Sequence, residues 1–304
     1  MKKLTITWDN ITDSTGYLFS FAKSLACAVK NSPYSNLAED IVATSGFAFR
    51  MWVSPDLCPS ATSIWEFHEQ KPWVENGGLT CNYTERLWDS DNIEEERRLA
   101  AIEQIKQSID NGIAAISWDI GVPEWGLITG YDDETQKFAT LSINGSTDEM
   151  EYALLGKREL PILNVLTITG KSEKGTKNIV EDTIKLAKTH LTGGEWCDSN
   201  AKGLEAYPAL IKHLESENTD LALSWNMEYF LGTYASLKWY AWKFFEKYQL
   251  SELALCYKKV YECWQKAFEL KKSSDLSLAE NRANIANLLK ESEAAEKDAL
   301  KLMN

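Results

Sequence analysis

The sequence predicts an α+β domain, an antiparallel sheet with packed helices, followed by an all-α helical bundle. Three observations carry that prediction. Between residues 113 and 168 short apolar runs alternate with turn residues, the mark of sequential antiparallel strands. Ahead of them, Leu99, Ile102, Ile105 and Ile109 recur at the spacing of one helix face. Beyond residue 175 nearly every stretch has helical period. Composition shifts at 170–175, GKSEKG, and this places the junction between a first domain, 1–170, and a helical domain, 171–304.

Each element follows from local chemistry. Asp13, Ser14 and Thr15 offer helix caps before an apolar run over 17–29, so the first helix is expected to start near Thr15. A second helical stretch covers 36–44. Residues 45–53, led by Gly46, read as a buried strand, and Pro55, Pro59 and Pro72 punctuate an irregular region with a short helix over 61–68. The helix over 93–110 ends at Asn111-Gly112. Strands are expected at 113–120, 125–129, 138–143 and 161–168, with Asp132-Asp133-Glu134-Thr135 turning between the second and third. Helices are expected at 176–191, 202–215, 221–248, 251–271 and 278–302. The 221–248 stretch carries aromatic residues nearly all round, as a central bundle helix would.

Composition excludes several classes. The chain has 304 residues, 44% apolar and 25% charged, which is the balance of a folded globular protein. Its formal charge of −13 repels phosphate backbones and anionic lipid, so neither nucleic acid nor a membrane is an expected partner. The opening, MKKLTITWDN, has no apolar run behind its lysines, and cytoplasm is the expected location. Six cysteines (27, 58, 81, 197, 256 and 263) lie scattered without a Cys-x-x-Cys pair, so free thiols are expected and no structural zinc.

Candidate chemistry is sparse. Gly170-Lys171-Ser172 resembles the tail of a phosphate-binding loop, but Val165 stands where that motif needs glycine. The three histidines, His68, His190 and His213, show no metal-ligand spacing, and no cofactor is expected. Cys27 falls well inside the first expected helix, in the position of a small core residue. A thiolate nucleophile instead needs a helix N-terminus or a cationic neighbour.

Residues 112–133, GIAAISWDIGVPEWGLITGYDD, join an apolar strand, a Gly121-Val122-Pro123 turn and a second strand that stops at Gly130-Tyr131-Asp132. Together with the helix containing Ser24-Leu25 and the segment Ser45-Gly46-Phe47-Ala48-Phe49-Arg50, this resembles the papain-like cysteine peptidase superfamily. The similarity is to the C39-type peptidases and the N-terminal domain of the butirosin biosynthesis protein H type, an acyltransferase. A weaker likeness runs through Gly203 to Tyr207 and 291–300. The resemblance implies a papain-like fold with its active site at the opening of the first helix. Carried over by position, the general base falls on Glu124, where those families hold histidine. The orienting Asn or Asp falls on Asn144, and the nucleophile on Thr15 or Gly16, without a thiol. The residues expected to line a ligand site are Ser14, Gly16, Tyr17, Arg50, Trp118 and Trp125.

A carboxylate of ordinary pKa is a poor base toward a hydroxyl at neutral pH. The expectation is therefore a non-catalytic papain-like protein that binds a small molecule or peptide in the old cleft. The alternative is a cysteine-dependent acyltransferase or amide hydrolase using Cys27 or Cys58. A third reading is an acidic module that docks a basic protein.

Overall fold

A computed structural model describes residues 1–9, 11, 14–196 and 199–303; Asp13, expected to help cap the first helix, and Cys197 lie outside the described residues. In chain order the elements begin with β1 (Lys2–Lys3), α1 (Ser20–Lys30), α2 (Ile41–Thr44) and β2 (Trp52–Val53). Next come α3 (Gln70–Asn76), β3 (Leu79–Arg86), α4 (Glu94–Asp110) and β4 (Ala115–Ser117). Strands β5 (Gly126–Asp132), β6 (Lys137–Leu141), β7 (Thr147–Glu151) and β8 (Leu163–Lys171) follow. After α5 (Thr176–Leu191) and β9 (Ala201–Lys202), the chain continues as α6 (Ala206–Glu215), α7 (Asp220–Leu223), α8 (Trp225–Lys247), α9 (Ser251–Ser273) and α10 (Ala279–Leu302).

Two compact units emerge, and neither is a continuous stretch of chain. One comprises Met1–Ile11, Ser20–Ile41 and Glu66–Gly175; the other comprises Thr12–Phe19, Val42–Trp65 and Thr176–Asn304. The expected 1–170 domain therefore gives up residues 12–19 and 42–65 to the helical unit.

The first unit is α+β. Its seven-stranded antiparallel sheet has the order β3-β8-β4-β5-β6-β7, and β1 pairs with β5 beyond the reach of β4. Three glutamates open α4, where the helix dipole favours them. The apolar face of α4 packs Ile102, Ile105 and Ile109 onto Ala115, Ile128 and Val165. Ile116, Leu127 and Leu166 alternate with those strand residues and are equally buried, and α1 packs against the same central strands, β4 and β5. A sheet covered on both faces reads in sequence as continuous apolar runs.

The second unit is helical. Helix α8 packs against α9, α9 against α10, and α10 against α6. Segment 42–65 belongs here because its aromatics are core: Phe49 lies 5.6 Å from Phe245 and 5.4 Å from Tyr257. Only Trp52–Val53 of the expected strand over 45–53 is extended, paired with β9. Residues 45–49 are turns instead, with the Ala48 N–H bonded to the Val42 carbonyl. Gly46 has φ +80°, and a Cβ there would lie 2.5 Å from His190 Nε2. The expected helix over 221–248 breaks at Ser224, whose hydroxyl accepts the Met227 N–H as an N-cap. Among the described residues no helix is long and apolar enough to cross a membrane.

A fully buried ion pair joins α8 to α10 in this unit. Lys238 Nζ lies 2.6 Å from Glu296 Oε1, and both side chains are fully buried. The Tyr207 hydroxyl donates to Glu296 Oε2 at 2.7 Å, and Trp264 Nε1 donates to the same hydroxyl at 3.0 Å. Removing one partner strands the other charge in a dry core, at a cost of about 3–5 kcal/mol. Glu296→Ala is therefore expected to lower unfolding stability by about that amount in urea denaturation. Pairing Lys238→Met with Glu296→Leu is expected to recover most of it, because no unpaired charge then remains.

Candidate functional site

The residue that opens α1 is Ser20, not Thr15. Ahead of it the chain turns at 14–16 and runs without helical bonding through 17–19. The apolar run over 17–29 gives the helix its period, while its first turn begins where the hydroxyl of Ser20 meets a carboxylate. Ser20 Oγ donates to Glu124 Oε2 at 2.5 Å. Both residues belong to the α+β unit. Helix α1 has no acidic residue in its own first turn, and Glu124 places a carboxylate at the helix start, where the helix dipole favours an anion.

Glu124 is held by the loop between β4 and β5. Asp119 adopts φ +58°, and Gly121 adopts φ +78° directly over Ser142, where a Cβ would lie 2.8 Å from that of the serine. Arg158 donates to the Asp119 and Gly121 carbonyls at 3.2 and 3.5 Å. The Ile120 N–H then closes the loop on the Glu124 carbonyl at 3.2 Å. Beyond it Trp125 is fully buried, its ring 4.9 Å from Phe21, 5.5 Å from Trp118 and 5.9 Å from Phe67. Trp125 is thus an anchor beneath Glu124 rather than a ligand contact, whereas Trp118 is half-buried.

Burial raises the Glu124 carboxyl above its ordinary value of 4.5, and the hydroxyl of Ser20 and the N–H of Trp125 draw it partly back. A half-buried carboxyl of raised pKa is a better proton acceptor than an exposed one.

The other expected site residues have different occupations. Thr15 lies in the helical unit, where its hydroxyl meets the Gly232 carbonyl at 2.9 Å and Ser236 Oγ at 3.0 Å. Gly16 is exposed with open space around it, and Ser14 Oγ reaches Gln265 at 3.4 Å. Tyr17 donates its hydroxyl to Glu228 at 2.9 Å and packs edge-on against Tyr229 and Phe268.

Arg50 is buried in the helical unit, its Nε held 2.8 Å from Glu195 Oε2. Its remaining donors go to the Thr62 and Ile64 carbonyls, and its guanidinium stacks 4.5 Å over Trp52. Glu195 also meets His190 Nδ1 at 2.5 Å, and despite burial Arg50 holds its carboxyl down at about 2. Arg50, Trp52, Thr62 and Tyr234 border a cavity of about 10 Å³, room for a single water. Arg50 is a structural tether.

Asn144 is exposed in the turn between β6 and β7, where its Oδ1 accepts from the Ser146 N–H and hydroxyl. It orients a turn, not Glu124. Cys27 is fully buried, its thiol donates to the Thr7 carbonyl at 3.3 Å, and burial pushes it up to about 12. Such a thiol is inert at neutral pH. The half-buried Cys58 follows a turn in which its N–H bonds to the Asp56 carboxylate. His68, for which no metal-ligand spacing was expected, shares an exposed turn with Glu66 and Glu69, Nε2 lying 3.7 and 3.4 Å from their oxygens.

Ser20 is the residue that sequence reasoning missed. Its one sequence signal is that it is a serine interrupting the apolar run over 17–29. No family model and no curated protein matches the chain.

Carbon-13 NMR of labelled glutamate tests the electrostatics directly. One carboxyl, assigned by its absence in Glu124→Gln, is expected to titrate above 4.5. Ser20→Ala is expected to move that midpoint higher still, because the hydroxyl that favours the charged form is gone.

Proposed function

We propose that this protein is papain-like in descent, has given up cysteine–histidine chemistry, and binds a small molecule or peptide. The observation that carries the reading is the Ser20–Glu124 hydrogen bond. By position Glu124 stands where the resembling families place the histidine base, and Ser20 opens the helix that their cysteine opens. A hydroxyl and a carboxylate now face one another there. The two cysteines of the same unit, Cys27 and Cys81, are buried with raised pKa, so neither supplies a thiolate.

The group assigned to the ligand is the carboxylate of Glu124, with the half-buried ring of Trp118 as an apolar neighbour across Trp125. A carboxylate accepts hydrogen bonds and attracts cations, so amide and ammonium groups are the ligand chemistry it favours. The overall charge of −13 steers in the same direction.

Screening a panel of short peptides and amines by thermal shift tests the reading. A ligand is expected to raise the melting temperature of the wild type and to lose that effect in Glu124→Lys, while iodoacetamide leaves binding intact. Thiol-dependent hydrolysis or acyl transfer that disappears as a cysteine is alkylated would contradict it.

A further inference from the structure

We propose that Glu66, His68 and Glu69 form a binding site for a divalent first-row transition metal ion, with zinc as the representative. The inference is independent of the reading of Glu124. His68 Nε2 lies 3.7 Å from Glu66 Oε2 and 3.4 Å from Glu69 Oε1. One donor atom from each of the three residues falls within 4.8 Å of the other two. Ligand atoms about 2.1 Å from a tetrahedral zinc lie about 3.4 Å from one another, so the two edges that meet at the imidazole are near coordination spacing. A single N–H on that nitrogen serves only one of the two carboxylates well, whereas a divalent ion between them serves both.

The backbone beneath the three ligands is held in place. The Glu69 N–H bonds to the Glu66 carbonyl at 2.9 Å and the Gln70 N–H to the Phe67 carbonyl, which makes residues 66–70 a 3₁₀ turn. Phe67, between the ligands in sequence, packs edge-on 5.9 Å from the buried Trp125. Gln70, the next residue, is fully buried, its Nε2 3.4 Å from Asn164 Oδ1. All of these residues belong to the α+β unit. The ligand side chains themselves are between 42% and 61% exposed, so an ion reaches them from solvent without a channel. Two carboxylates balance the charge of a divalent ion, and Lys71, the nearest cation in sequence, is turned to Glu75 at 3.8 Å. An imidazole in the set selects zinc and its first-row neighbours over calcium and magnesium, which prefer shells made of oxygen. Three protein ligands leave a position for water.

Equilibrium dialysis of the intact chain against zinc, with the cysteines kept reduced and bound metal counted by elemental analysis, tests this. One zinc per chain is expected, retained in excess magnesium. His68→Ala is expected to weaken binding by at least about tenfold, because even losing a group behind a ligand costs that much. Glu66→Gln and Glu69→Gln are each expected to weaken it as well. His213→Ala, in α6 of the helical unit, is expected to bind as the wild type does. Unfolding midpoints in urea without metal are expected to be the same for the wild type and the three ligand variants, so that lost binding is not lost folding. Cobalt in place of zinc is expected to give d–d absorption without thiolate charge transfer. A chain that takes up no zinc, or that keeps wild-type affinity as His68→Ala, overturns the inference. Displacement by excess magnesium overturns it too, as the mark of a diffuse acidic surface, and thiolate charge transfer does so by placing the ion on cysteine. The screen of peptides and amines reads Glu124, so the binding reading stands or falls separately.

Discussion

A carboxylate brought half out of water needs a partner, and at Glu124 that partner is the start of a helix. The interaction joins two parts of the first unit that are distant in sequence, the loop from β4 to β5 and the first residue of α1. It satisfies the helix end electrostatically, where no acid in the helix itself does so. It also accounts for the cost of the loop. Asp119 in a left-handed conformation is unfavourable, and the Arg158 contacts and the packing of Trp125 offset that cost.

The helical unit solves a different problem. Its aromatic residues fill a core around α8, and charged groups inside that core are paired. Arg50, Glu195 and His190 form one buried set, and Lys238, Glu296 and Tyr207 another. Groups that a sequence reader takes for a binding site, Arg50 above all, are consumed in holding segment 42–65 in place. In the α+β unit burial raises the Glu124 carboxyl, and a hydroxyl and an N–H draw it partly back.

Fold class was legible in the sequence because helical and strand periods differ and the long helices keep theirs. Helices α4, α5, α9 and α10 lie where the apolar spacing puts them. Strands were legible only where apolar residues dominate. The edge strands β3, with Asn82, Thr84 and Glu85, and β7, with Asp148, Glu149 and Glu151, carry polar surfaces and give no apolar signal. Segment 45–53 failed for the opposite reason. It is buried throughout, and burial without alternation does not distinguish a strand from a packed turn. Glu124 stood out in the sequence by its place ahead of Gly130-Tyr131-Asp132, which the structure shows to be the end of β5. Ser20 did not, because Asp13, Ser14 and Thr15 are good cap residues by composition, and the hydrogen bond that marks the true start comes from a residue 104 positions away. Asn144 misled similarly: its neighbours in sequence, not the distant loop, use its side chain.

The account stands on the coupling between Ser20 and Glu124, and a double-mutant cycle on unfolding free energy measures it. Ser20→Ala, Glu124→Ala and the double variant are compared with the wild type at neutral pH. A hydrogen bond from a hydroxyl to a buried carboxylate predicts a favourable coupling energy of about 1–3 kcal/mol. Additive effects of the two substitutions, with a coupling indistinguishable from zero, would contradict it.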